Sequence, residues 1–128
     1  MPQQLLLLAI AGAAGTLARY GLSELVSSLL GRKFPWSTLA VNLLGSLLFG
    51  LVWTLATQRE LISPRAGLVI LTGFMGAFTT FSTFAFESSQ LLQAGMWGAV
   101  MANMAAQNLL GILAVVAGSW LAKLDWLA

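Results

Sequence analysis

Four long apolar stretches, parted by short polar segments, set the pattern of this chain. They cover residues 5–30, 38–57, 66–92 and 97–120. A helix needs about 20 apolar residues to cross a bilayer, and each stretch meets that length. The separators read as loops. Gly31-Arg32-Lys33-Phe34-Pro35-Trp36 holds a helix-stop glycine, two cations, a proline and an interfacial tryptophan. Residues 58–65 form the most polar loop, and Gln93-Ala94-Gly95 is a short turn. Ser37 or Thr38 is expected to cap the second helix. Trp36, Trp97, Trp120 and Trp126 fall near span ends, as aromatic belts do. The pattern predicts an all-α membrane protein with four transmembrane helices in a single transmembrane domain, residues 1–128.

The third stretch is unlike the others. Thr72-Gly73-Phe74-Met75-Gly76-Ala77-Phe78-Thr79-Thr80-Phe81-Ser82-Thr83-Phe84-Ala85-Phe86-Glu87 combines glycines, hydroxyls, phenylalanines and a carboxylate inside an apolar run. Such a sequence is a poor helix former. Non-helical backbone at membrane depth survives only where protein buries it or it lines a cavity. A break over residues 73–80 is therefore expected, with a second half-helix from about Phe81. The stretch is also longer than a simple span requires, as an interrupted helix would be.

Composition narrows the function. The chain is 59% hydrophobic and 8% charged, with mean hydropathy +0.88. Soluble domains carry about 25% charged residues, so a membrane protein is the default. Cys and His are both absent, which removes disulfides, thiol chemistry and histidine-based acid–base or metal-hydrolase sites. The net charge is +2 with no basic cluster, so nucleic acid is not an expected partner. The first apolar run lacks a basic leader and a cleavage signal, and is expected to stay as a membrane helix.

The cations give little orientation signal. One side of a four-span arrangement carries Arg59, Arg65 and Lys123, the other Arg32 and Lys33. A chain without bias under the positive-inside rule inserts both ways. Two opposed copies then form an antiparallel homodimer, the single-chain equivalent of an inverted repeat. Arg19 lies within the first span, where an arginine costs about 2.5–3.5 kcal/mol on insertion scales. It either snorkels or pairs with Glu24, or else faces a water-filled vestibule that attracts anions.

Asn42 sits in the second span beside the small residues Gly45, Ser46 and Gly50; it either joins helices or touches a permeant species. Asn103, Gln107 and Gly111 recur every four residues on one face of the fourth span, with Asn108 beside that line. Phe81 and Phe84 share a face of the second half-helix, and Ser82 and Thr83 add hydroxyls. Amides and hydroxyls donate hydrogen bonds without net charge, and phenylalanine edges are electropositive. Such a set replaces water around a small anion weakly enough to release it. The alternative is packed aromatics with hydroxyls bonded back to the helix. Free carbonyls at the break can hold a cation such as Na⁺, or the bend is satisfied by water and side chains.

These residues are specific enough to carry a resemblance. Gly12-x-x-Gly15-x-x-x-Arg19, Thr38-Leu39-Ala40-Val41-Asn42 and above all the run from Thr72 to Glu87 resemble the small dual-topology fluoride channels of the Fluc (CrcB) family, over essentially the whole chain. The resemblance implies an antiparallel homodimer of four-helix subunits in the cell inner (plasma) membrane, exporting fluoride passively. It implies two fluoride pores lined by Asn42, Phe81 and Phe84, with a polar track of Ser82 and Thr83 continuing through Asn103 and Gln107. It implies a structural Na⁺ at the dimer centre, held by the backbone carbonyls of Gly76 and Thr79. Arg19 and Glu87 fall to vestibule or structural roles. The chain departs from the family at Asn103, Gln107 and Gly111, where aromatic or hydroxyl groups are common, and at Ser37, where glycine often precedes the threonine. A channel needs no catalytic residue, so an enzyme is not expected.

The competing class is a proton-coupled exporter of the small multidrug transporter type, which needs a titratable carboxylate deep in the first helix. Glu24 is too near the helix end, leaving Glu87. A non-transporting scaffold would explain the glycine faces but not the hydroxyl and aromatic run.

Overall fold

The computed structural model describes residues 1–124, and every regular element among them is helical. Trp126, expected at a span end, lies outside the described residues. The elements are α1 (Pro2–Leu30), α2 (Trp36–Thr57), α3 (Pro64–Leu68), a π-helical stretch (Val69–Met75), α4 (Gly76–Phe78), α5 (Phe81–Gln93), α6 (Trp97–Ala105), a second π-helical stretch (Ala106–Leu110) and α7 (Gly111–Leu121). α3 to α5 make the third span, Pro64–Gln93, and α6 to α7 the fourth, Trp97–Leu121; with α1 and α2 these are four helices long and apolar enough to cross a membrane.

Local chemistry sets the ends. α1 stops at Gly31, whose φ of 78° is open to glycine at little cost. Ser63 caps α3 by accepting from the Ala66 N–H at 3.3 Å, with Pro64 in the first turn. α2 corrects the expected cap: it begins at Trp36 directly after Pro35, with no side-chain cap. Thr38 is buried inside the helix, and its hydroxyl bonds to Glu87 instead.

The helices associate through small residues, as expected in lipid, where apolar side chains gain little by leaving the solvent. α2 packs most extensively on α7. Gly50 lies against the Val115 carbonyl and Gly118 against the Leu47 carbonyl; a Cβ at either position would overlap the opposing backbone. Ser119 Oγ donates to the Gly50 carbonyl at 3.2 Å across the same contact. Arg59 ties the far end of the pair, donating from Nη1 to the Ala122 and Leu124 carbonyls at 3.0 and 3.1 Å. This supplies donors where the fourth helix runs out of its own. Large side chains such as Leu6, Leu17, Leu113 and Val116 face outward.

The break in the third span is shorter and later than expected. Residues from Val69 to Phe78 stay helical, first as a wide π turn and then as α4. The discontinuity is at Thr79 and Thr80, with φ/ψ of −80°/156° and −146°/111°. Gly73 supports packing rather than a break: a Cβ there would come 2.8 Å from the Ala11 side chain. The helix ends because the Thr80 N–H, which would have continued it, is captured by Asn42.

Candidate functional site

α2 presents Thr38 and Asn42 one turn apart on one face, and both reach the third span. Thr38 Oγ1 donates to Glu87 Oε1 at 2.9 Å. Asn42 holds the break. Its Oδ1 accepts from the Thr80 N–H at 2.8 Å, and its Nδ2 donates to the Thr80 carbonyl at 3.1 Å. The same Nδ2 donates to Gln107 Oε1 of the fourth span at 3.0 Å. One side chain thus joins three spans.

Thr80 also starts α5. Its Oγ1 accepts from the Thr83 N–H at 3.3 Å and lies 2.8 Å from the Thr83 hydroxyl. Thr79 Oγ1 closes the preceding half by donating to the Met75 carbonyl at 3.0 Å. Because Thr80 N–H serves Asn42, the Gly76 carbonyl loses its helical donor. Gly76 is exposed, and a Cβ there meets nothing within 4 Å. A carbonyl without its regular helical donor, on an open face, fits backbone ligation of a hard cation such as Na⁺. Thr79 faces elsewhere: its methyl abuts Gly45, where a Cβ would overlap it.

A cavity of about 300 Å³ lies beside this junction, lined by Asn42, Ser46, Phe49, Thr79, Thr80, Phe81, Phe84, Gln107 and Asn108 among others. Phe81 and Phe84 meet edge to face, centroids 5.5 Å apart at 60°. Phe81 is 78% exposed, so one wall is open on this single chain.

Of the expected site residues, the structure brings Asn42, Phe81, Phe84, Gln107 and Thr79 to this cavity. Thr83 stands behind it through Thr80, and Ser82 is exposed without a hydrogen bond among the described residues. Asn103 lies apart from it, fully buried, its Nδ2 donating to Ser88 Oγ at 3.0 Å and its Oδ1 without a partner. The straight line through Asn103, Gln107 and Gly111 fails because the π-helical turn at Ala106–Leu110 shifts the register. The same shift brings Asn108, expected off this face, to the cavity. Arg19 is half-buried and has no polar partner among the described residues. Glu24 does not pair with it; it pairs with Arg32 at 3.2 Å on the surface. The five-residue spacing of Arg19 and Glu24 puts them on different faces of α1. Glu87 sits midway along α5 and lines a small recess with Arg32 and Lys33.

Thr80, Thr38 and Ser88 were not expected at functional contacts. The one-turn spacing of Thr38 and Asn42 was the available signal for Thr38.

The family model described as "CrcB-like protein, Camphor Resistance (CrcB)" matches residues 6–119. The chain belongs to the CrcB family. Among curated relatives, a protein of Solidesulfovibrio magneticus named "Fluoride-specific ion channel FluC" is 55% identical over 124 residues, 97% of this chain and 99% of its own length. Proteins of the same name from Nitrosococcus oceani and Magnetococcus marinus are 52% and 47% identical, covering 92% and 90% of this chain and 94% of each relative. CrcB membership and four apolar helices together make this a multi-pass membrane protein.

Proposed function

We propose that this CrcB protein is a fluoride-selective ion channel that lets F⁻ leave the cell passively, and that it is not an enzyme. Its relatives at 47–55% identity are named as fluoride-specific channels along nearly their whole length. The observation that carries the reading to named residues is the Asn42–Thr80–Gln107 junction beside a cavity edged by Phe81 and Phe84. Uncharged donors and ring edges meet there, and no formal charge lines the cavity. HF crosses a membrane, loses its proton in a near-neutral cell and is trapped as F⁻. A passive path lets the membrane potential drive the anion out. Weak, uncharged coordination suits conduction, which needs binding that also releases.

The working unit is an antiparallel homodimer in the inner membrane. The near-even division of loop cations supports insertion in both orientations. The exposure of Phe81 leaves a pore wall for the second copy to complete. A structural Na⁺ at the two-fold axis would be held by the Gly76 and Thr79 carbonyls, adding a fixed positive centre near the anion paths. Arg19 faces a vestibule that draws anions in; its half-burial without a polar partner supports this. The proton-coupled exporter has no carboxylate deep in α1, where Glu24 is already paired with Arg32. Anion efflux from proteoliposomes, comparing F⁻ with Cl⁻ at zero proton gradient, tests the reading.

A further inference from the structure

We propose that the groove between α1 and the start of the third span binds an anionic phospholipid, its phosphate held by Arg65 and one acyl chain lying along Leu7, Val69 and Ile70. This goes beyond the fluoride reading and does not rest on it.

The groove is a cavity of about 440 Å³ lined by Leu7, Ser63, Arg65, Ala66, Val69 and Ile70. Its polar residues gather at the ends of the two spans, and its apolar residues run inward from them. α1 has 29 residues and the third span 30. At 1.5 Å per residue each is roughly 44–45 Å long, the thickness of a bilayer with its headgroups. Arg65, next to the first residue of its span, therefore stands at headgroup level. Leu7 and Ile70 lie about 8–9 Å further in, at the top of the hydrocarbon layer. A molecule that fills this groove is polar at one end and apolar at the other.

The charge at the mouth is one-sided. Arg65 is exposed, and its Nη2 donates to the neutral Gln3 Oε1 at 3.4 Å, which holds the guanidinium between the two span ends. Among the described residues Arg65 forms no ion pair; the pair found there is Arg32 with Glu24. No carboxylate lines the groove. Ser63 Oγ accepts from the Ala66 N–H and keeps its own O–H free to donate. A guanidinium with N–H groups to spare, beside a hydroxyl donor, matches the oxygens of a phosphate. Basic pockets between membrane helices hold anionic headgroups in this way. A second copy of the chain suits the groove less well. It would bury Arg65 against an apolar helix without a counter-charge, and Gly76, where close approach of two copies is proposed, lies roughly 16 Å further along the span. In the antiparallel pair, the two copies place one such lipid site in each leaflet.

The test is native mass spectrometry of the intact protein in detergent, titrated with phosphatidylglycerol, phosphatidylcholine or inorganic phosphate. Saturable binding of one phosphatidylglycerol per subunit is expected, with weaker binding of phosphatidylcholine and no phosphate adduct at equal concentration. Arg65→Gln is expected to weaken phosphatidylglycerol binding about fivefold, the scale for one cation near a membrane surface. Lys33→Gln, at the opposite membrane face, is expected to leave that binding unchanged. Val69→Trp fills the groove and is expected to expel the lipid while Arg65 stays in place, with folding of each variant checked by circular dichroism. Unchanged binding in folded Arg65→Gln or Val69→Trp overturns the proposal, as does equal weakening in Lys33→Gln. Inorganic phosphate bound as tightly as the lipid removes the acyl-chain part of the site and overturns it as well. Dissociation of the dimer by Val69→Trp on size exclusion would show that a second copy covers the groove, and would also overturn it.

Discussion

Asn42 holds Thr80 by both ends of its peptide environment, accepting from the N–H at 2.8 Å and donating to the carbonyl at 3.1 Å. A side chain from one helix thereby takes the place of the next turn of another. The break in the third span is made by a long-range partner as much as by its own residues. In lipid such a substitute is needed, because an unpaired backbone group costs several kcal/mol.

Asn42→Asp keeps the acceptor for the Thr80 N–H and loses the donor to its carbonyl. It also places negative charge beside the cavity. Fluoride efflux is expected to fall at least a hundredfold in protein that still assembles, read by a fluoride electrode on proteoliposomes with assembly checked by size exclusion. Undiminished efflux from folded Asn42→Asp protein would remove Asn42 from the account.

Gln107→Leu removes the free NH₂ and also the acceptor for Asn42. Asn108→Leu removes a donor already bonded to its own helix. Efflux is expected to slow at least tenfold in the first and less than threefold in the second. Equal slowing would mean that the fourth span does not present Gln107 to the anion.

Gly76→Trp places a bulky side chain on an open face of the single chain, so the isolated subunit tolerates it. It should block close approach of a second copy at the break. The expected result is loss of the dimer in detergent with helical content preserved by circular dichroism. Wild-type dimer is also expected to weaken when Na⁺ is exchanged for a large organic cation over a long period. If dimer and flux both ignore prolonged Na⁺ removal, the axial ion has no structural role.

Several lysines added to the loop at residues 31–35 should force one orientation. Flux is expected to fall when this variant is expressed alone and to recover when it is paired with a variant carrying the extra lysines at residues 58–65. Full activity of the first variant alone rules out the antiparallel arrangement.

Hydropathy made the four spans legible, since a bilayer demands long apolar helices whatever their packing. The existence of a break was legible from the hydroxyls and glycines between Thr72 and Thr83. Its place was not. Gly73 and Gly76 looked like helix breakers, yet Gly73 serves a close contact with α1, and the true break falls where Asn42, 38 residues away, captures Thr80. Asn42 and Gln107 were legible as candidates because amides are rare in spans. Their mutual bond was not, because the π turn at Ala106–Leu110 changes which face they share and no local pattern announces it. Glu24 bonded to Arg32 rather than Arg19 because the chain turns at Gly31 and brings the loop cation back over the helix end.

The most direct measurement is anion efflux from liposomes holding the purified wild-type protein, with valinomycin and K⁺ to balance charge and the same pH on both sides. The account predicts rapid fluoride release, no matching release of chloride, and no need for a proton gradient. Chloride leaving as fast as fluoride, or fluoride moving only when a proton gradient is imposed, would contradict it.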